Sequence, residues 1–363
     1  MKLDIIAGAR PNFMKMGPII RQLKKFNDAH PAAPFQFRLI HTGQHYDRNM
    51  SDSFFEQLGI PEPDINLGAG SGTQASQTAQ IMIGYEKAIQ DWKPDTCIVV
   101  GDVTSTMACS IVAKKAGIKV AHVEAGIRSG DWSMPEEINR IVTDSITDYF
   151  FTTSEEANAN LLKAGHRQEQ IFYVGNTMID SLLDNIDRLR KPDFFDNALA
   201  GHPYIVLTLH RPSNVDDPEK LSALLDRIHD ALGDCRVLFP MHPRTRKIFD
   251  AIGRQYKQFN IVEPMSYLEF MFVVKNATGV VTDSGGITEE TTVLNIPCIT
   301  LRDSTERPET IRLGTNELVA DHSFIKGYIE RMIAGDWKQA QPIQYWDGKT
   351  AERIVQALNN IRS

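Results

Sequence analysis

Short apolar runs alternate with amphipathic stretches along the chain, and the whole alternation is played through twice. Leu3–Ala7, Thr96–Val100, Val120–Val123, Tyr149–Thr152 and Ile171–Val174 read as strands, with helical patterns such as Thr104–Lys115 and Glu155–Ala164 between them. After residue 200 the pattern restarts. Tyr204–Leu207, Arg236–Phe239, Asn260–Val262, Gly279–Thr282 and Cys298–Leu301 read as strands, Pro218–Leu232 and Tyr267–Val274 as helices. Alternation of this kind builds βαβ units around a parallel sheet. The expectation is an α/β chain of two doubly wound, Rossmann-like domains facing a cleft. Its 363 residues suit two cores, since a single core stops growing at roughly 250–300 residues. Gly175-Asn176 ends a strand, and Lys191-Pro192-Asp193 breaks the helical pattern that follows. The boundary is therefore drawn at 175/176. This gives an N-terminal domain 1–175 and a C-terminal domain 176–350, with the amphipathic segment 351–363 returning to complete the first.

Composition removes several function classes. The formal charge of −7 argues against nucleic acid as a partner. No apolar run approaches the ~20 residues of a membrane span. Met1–Gly8 is too short in its apolar part, and carries Asp4, for a signal peptide. The reading is a cytoplasmic protein. Cys97, Cys109, Cys235 and Cys298 include no CxxC pair and have no histidine cluster. Each lies in an apolar stretch, so buried thiols are expected and a metal site is not.

In open α/β sheets ligands bind beyond the C-terminal ends of strands, so the residues following each strand are the candidates. The first such turn is Gly8-Ala9-Arg10-Pro11-Asn12-Phe13-Met14-Lys15. It lacks the glycines of a GxGxxG dinucleotide fingerprint. Arg10 and Lys15 add positive charge to a helix N-terminus, which favours an anion. Asp102, in Gly101-Asp102-Val103-Thr104, sits where a helix starts and suits either a cap or a catalytic role. Glu124, in His122-Val123-Glu124-Ala125-Gly126, ends a buried β-branched strand, a costly place for a charge unless the site uses it. Glu136 follows in Pro135-Glu136-Glu137, a sequence that also suits an ordinary helix start. Clustered, the three carboxylates push one another's pKa values apart, as acid–base catalysis requires.

The second half offers His210, in Leu209-His210-Arg211-Pro212, as a proton donor or anion contact. Met241-His242-Pro243-Arg244 adds positive charge after another strand. The sharpest local signal is Thr282-Asp283-Ser284-Gly285-Gly286-Ile287-Thr288-Glu289-Glu290. Paired glycines let backbone N–H groups approach a phosphate closely. Glu290, one turn on, can accept from vicinal ribose hydroxyls. The charged loop Arg302–Glu309 follows the last strand of the set.

With these blocks in order, the chain resembles the non-hydrolysing UDP-N-acetylglucosamine 2-epimerases, which have the two-domain glycosyltransferase-B type fold. The resemblance spans nearly the whole sequence. It rests on Val123-Glu124-Ala125-Gly126 with Arg128, Pro135-Glu136-Glu137 with Asn139-Arg140, Asp283–Gly286 with Glu289-Glu290, and Arg302-Asp303 with Thr305–Glu309. It implies reversible conversion of UDP-GlcNAc to UDP-ManNAc by elimination and re-addition of UDP through a 2-acetamidoglycal, with no cofactor and no metal, in a homodimer. The residues it implies are Asp102, Glu124, Glu136 and His210 for catalysis. Arg10, Lys15, Ser284, Gly285, Gly286, Glu290 and Arg307 would hold the UDP-N-acetylhexosamine. Gln44, His45 and His242 match a second substrate site, although Ala79 stands where members with that site carry an arginine. His210-Arg211-Pro212-Ser213 replaces the family's His-Arg-Arg-Glu. A UDP-diacetamido-glucuronate 2-epimerase and a glycosyltransferase of the same fold are the competing readings.

Overall fold

The computed structural model describes residues 1–43, 55, 59–70, 72–199, 201–241 and 243–362. Gln44, His45 and His242 therefore lie outside the described residues. The chain forms two units, residues 1–184 with 344–363 and residues 185–343. The corresponding limits drawn from the sequence were 175/176 and 350/351.

In the first unit seven strands lie in one parallel sheet: β1 (Lys2–Ala7), β2 (Gln36–His41), β3 (Ile65–Asn66), β4 (Thr96–Val100), β5 (Lys119–Val123), β6 (Tyr149–Thr152) and β7 (Ile171–Tyr173). Their order is β3-β2-β1-β4-β5-β6-β7. Helices pack against the sheet, so central strands such as β4 are buried along their whole length. The helices are α1 (Arg10–Ala29), α2 (Gln74–Ala88), α3 (Thr104–Lys115), α4 (Pro135–Ile146), α5 (Glu155–Lys163) and α6 (Thr177–Asn185). α3 lays Ala108, Cys109, Val112 and Ala113 against β4 and β5 residues, small side chains that let helix and sheet approach closely.

The sequence reading omits β2, and its register shows why. Arg38 interrupts the apolar run, and it stands opposite Asp4 of β1. The guanidinium grips the buried carboxylate at 2.9 and 2.8 Å. A charge inside a strand is thus paired across the ladder, a partner that no local pattern reveals. α6 stays with the first unit because its polar face is used there. Ser181 donates to the Met14 carbonyl at 2.5 Å. Asp180 accepts from the N–H groups of Thr350 (3.1 Å) and Ala351 (2.7 Å), the start of the C-terminal helix Thr350–Arg362.

The second unit repeats the plan with six parallel strands: β8 (Tyr204–Thr208), β9 (Arg236–Pro240), β10 (Phe259–Val262), β11 (Gly279–Thr282), β12 (Cys298–Thr300) and β13 (Asn316–Leu318). Their order is β10-β9-β8-β11-β12-β13. The helix α7 (Pro218–His229) is capped by Asp217 and buries Leu221, Leu224, Leu225 and Ile228, a stripe at helical spacing. Each such side chain contributes roughly 1.5–3 kcal/mol on full burial. α8 (Tyr267–Lys275) and α9 (Ile287–Val293) flank β11 in sequence.

Both sheets reverse their strand order beside the first strand, between β1 and β4 and between β8 and β11. At such a switch point the flanking loops diverge and leave a crevice above the strand ends. Among the described residues no helix is long and apolar enough to cross a membrane. All four cysteines are buried and unpaired.

Candidate functional site

At the switch point of the first unit, β1 runs into α1 through Gly8 and Ala9. The sequence reading makes this helix N-terminus an anion contact. Instead Asn12 turns back and its Oδ1 accepts from Gly8 (3.2 Å) and Ala9 (2.9 Å). Its Nδ2 donates to the Val100 carbonyl at 3.3 Å, tying α1 to the end of β4. The anion-binding capacity of this turn therefore rests on Arg10, which is exposed.

Lys15, one turn further along α1, points at Glu124, with Nζ 2.6 Å from Oε2 and the carboxylate only 3% exposed. Glu124 has left-handed backbone, with φ of 68°, a conformation that costs an L-residue about 1–2 kcal/mol. It is held by Glu124 N–H donating to the Phe151 carbonyl at 2.9 Å. The strand is thus broken at the residue whose carboxylate has to leave the sheet and face the crevice. Gly101, directly after β4, has φ of 66°, the left-handed region that favours glycine, and lies beside Lys15 Nζ and Glu124 Oε2.

Asp102 is next in the chain. Arg140 of α4 binds its carboxylate through Nη2, and Asn139 Nδ2 donates to its backbone carbonyl at 2.8 Å. Asp102 and Glu124 each face a cation, Arg140 and Lys15 respectively, and Arg140 is shared with Glu137. Glu136 lies in the first turn of α4, on the same helix as Arg140, and bonds neither of the other two carboxylates. Its neighbour Glu137 is the buried one. It accepts from Ser129 N–H (2.9 Å), Ser129 Oγ (3.1 Å), Gly130 N–H (3.1 Å) and Arg140 (2.9 Å). Burial pushes its carboxyl up, but these donors outweigh that and hold it below the usual range. Glu137 fixes the loop leading into α4 and orients Arg140, a part its sequence position did not disclose.

A further buried group underlies these loops. His122, fully buried in β5, has Nε2 2.8 Å from the Gly101 carbonyl and Nδ1 2.7 Å from Asp144 Oδ1. Asp144 also accepts from Gly126 N–H at 3.1 Å and from Arg128 Nη1 at 2.7 Å. Burial alone raises the Asp144 carboxyl, yet His122 and Arg128 more than compensate and lower it.

In the second unit Asp283 ends β11 with no exposure to solvent. It accepts from the N–H groups of His210 (3.0 Å) and Arg211 (2.9 Å) and from Asn214 Nδ2 (3.2 Å). It also meets His210 Nδ1 at 2.8 Å. Burial raises this carboxyl, but the His210 and Arg211 bonds prevail and lower it. His210 is thereby held through Nδ1, and its side chain is more than half exposed. The sequence reading quoted Asp283 in a motif and gave it no role. The available signal was an acid directly after a fully buried strand.

The Ser284-Gly285-Gly286 turn follows. Ser284 N–H is taken by Thr282 Oγ1 at 2.9 Å. Among the described residues the N–H groups of Gly285 and Gly286 have no acceptor. The two glycines differ. A side chain at Gly285 would stand 2.7 Å from the Arg302 guanidinium, whereas one at Gly286 meets nothing within 4 Å. The protein itself gives no steric reason for Gly286. Arg302 is held by Glu306 at 3.1 Å, and Arg307, read as a substrate contact, reaches Glu289 at 2.5 Å. Glu290 accepts from Tyr267 OH at 2.9 Å. Burial pushes its carboxyl up to about 7, against a smaller opposing effect of the Tyr267 bond.

The family model for UDP-N-acetylglucosamine 2-epimerase matches residues 27–359. The chain is 44% identical to a Methanocaldococcus jannaschii UDP-N-acetylglucosamine 2-epimerase, with 99% of each chain covered. It is 35% identical to a Pseudomonas aeruginosa UDP-2,3-diacetamido-2,3-dideoxy-D-glucuronate 2-epimerase, again with 99% of each covered. The crystal structure of the M. jannaschii UDP-GlcNAc 2-epimerase in complex with UDP-GlcNAc and UDP superposes with a TM-score of 0.86 at 42% identity, covering 99% of this chain and 100% of that one.

Proposed function

Because this chain belongs to the UDP-N-acetylglucosamine 2-epimerase family, we propose that it interconverts UDP-N-acetylglucosamine and UDP-N-acetylmannosamine. The observation that carries the reading is the pair Asp102 and Glu124, two carboxylates each matched to a cation at the switch point of the first unit. Such a pair suits proton transfer on either side of one carbon. The greater identity to the UDP-GlcNAc enzyme than to the diacetamido-glucuronate enzyme, 44% against 35%, favours the simpler sugar.

Inverting C2 means breaking a C–H bond that no carbonyl activates. Elimination supplies the activation. As the C1–O bond breaks, its electron pair leaves with UDP and C1 acquires oxocarbenium character. The C2 proton then passes to a carboxylate, giving a 2-acetamidoglycal. UDP adds back to C1 while an acid delivers a proton to the opposite face of C2. Among Asp102, Glu124 and Glu136 one group removes the proton and another returns it, each assisting by roughly 10²–10⁴-fold. Lys15 keeps Glu124 oriented. Arg10, His210 Nε2 and the Gly285 and Gly286 amides stabilise the charge that grows on the departing diphosphate, on the order of 3–4 kcal/mol per well-placed donor. Glu290 takes the ribose hydroxyls. Arg307 serves indirectly, by fixing Glu289 beside it. A homodimer, which light scattering would test, and a cytoplasmic location, suited to four unpaired thiols, complete the proposal.

NMR of UDP-GlcNAc with the protein in D₂O tests it. UDP-ManNAc carrying deuterium at C2 is expected without any acceptor. Product that keeps protium at C2, or no UDP-ManNAc, refutes it.

A further inference from the structure

We propose that His122 and Asp144 are positioning residues that set the spacing of the two catalytic loops, and that this spacing decides whether the glycal is completed or lost. The inference rests on the epimerase reading above.

His122 and Asp144 are buried, and their polar atoms are taken up by protein groups. Their bonds end on the two segments that carry the acids. His122 Nε2 donates to the carbonyl of Gly101, the residue before Asp102. Asp144 Oδ2 accepts from Gly126, two residues after Glu124. Both segments have left-handed backbone, at Gly101 and at Glu124 and Gly126, so neither is a regular extension of its strand. Gly126 is further confined, since a side chain there would stand 2.4 Å from the Ala157 carbonyl. The carbonyl of Gly101 can only accept, so Nε2 donates to it. The ring is a brace between the ends of β4 and α4, and Arg128 closes the outer side of the Asp144 carboxylate at 2.7 Å. A buried ion pair stabilises little against an apolar alternative, and it is kept where it specifies one geometry.

The geometry at stake is that of two groups acting on opposite faces of C2. The intermediate waits between the first proton transfer and the second. If the loops shift, the second transfer slows and the glycal has time to leave. A displacement of about 1 Å costs about 10²-fold in rate.

The test uses Asp144→Asn and His122→Gln in the full-length protein. Asp144→Asn sets an amide N–H against Gly126 N–H or Arg128. His122→Gln can keep the Gly101 bond but not the one to Asp144. Expected are a fall in kcat of about 10²-fold, KM within threefold, UDP affinity unchanged, and a several-fold rise in free UDP and 2-acetamidoglycal released per epimerised sugar. Partial unfolding lowers every rate equally and leaves that ratio untouched, so an unchanged ratio overturns the proposal, as does kcat within threefold of wild type. Should both variants fail to fold, Arg128→Gln removes the rim bond to Asp144 together with a local bond to the Ile127 carbonyl, and the same ratio must rise there. Wild-type protein that makes no UDP-ManNAc refutes the epimerase reading instead.

Discussion

Replacing Glu290 with glutamine isolates the consequence of burying a carboxylate in a nucleotide site. Burial raises Glu290 from 4.5 to about 7, equivalent to about 3 kcal/mol at about 1.4 kcal/mol per pH unit. A raised carboxyl means that the folded protein keeps a proton the unfolded chain has lost. Stability therefore falls as pH climbs from about 4.5 to about 7, and stays lower above that. Glutamine keeps an acceptor for Tyr267 and removes the charge. Glu290→Gln should thus be more stable than wild type at pH 8, by up to about 3 kcal/mol, and indistinguishable near pH 4. Binding follows the opposite sense. Ribose hydroxyls donate best to the ionised form, and at pH 6 only about one molecule in eleven is ionised, so wild-type affinity for UDP should drop about tenfold from its plateau. Calorimetric titration with UDP at pH 6, 7 and 8 reads this out. The terminal phosphate of UDP also titrates near pH 6, so the quantity to follow is the ratio of wild-type to Glu290→Gln affinity. A ratio that is flat from pH 6 to pH 8 refutes the assignment of Glu290 to the ribose.

Asp102→Asn should cut turnover by about 10²–10⁴-fold while calorimetry shows UDP affinity retained; equal losses of both would remove Asp102 from the chemistry. Gly286→Ala places a methyl in space that no protein atom occupies, so thermal unfolding should be nearly unchanged while UDP affinity falls about tenfold or more; unchanged affinity would move the diphosphate elsewhere. Gly285→Ala should by contrast disturb Arg302 and lower the melting temperature. Asp283→Ala strips the acceptor from His210 and Arg211, and should destabilise by about 3 kcal/mol or more through unsatisfied buried donors, with kcat falling in the fraction that folds.

The parallel-sheet plan was readable because buried strands are apolar without interruption, as in β4. β2 was not, since its arginine finds a partner in another strand. At the site, glycines and acids after strands marked the positions, because backbone departure from a strand leaves a local signature. What the sequence concealed was pairing. That Lys15 belongs to Glu124, Arg140 to Asp102, and His122 to Asp144 depends on separations of 109, 38 and 22 residues. The inward turn of Asn12 onto Gly8 and Ala9 likewise could not be told from an open anion turn. The functional residues were legible as types at strand ends; their roles emerged only with the third dimension.

The bonds from Asp180 to Thr350 and Ala351 also set an order of birth. A ribosome makes residues 1–184 first, then all of 185–343, and only afterwards the segment that α6 is waiting to dock. At about 5–20 residues per second, the early sheet spends roughly ten to thirty seconds without its closing helix. During that interval the faces of α1 and α6 that the C-terminal helix covers stay open to solvent, so slowed translation across 185–343 should lengthen the aggregation-prone window and leave the finished fold unchanged.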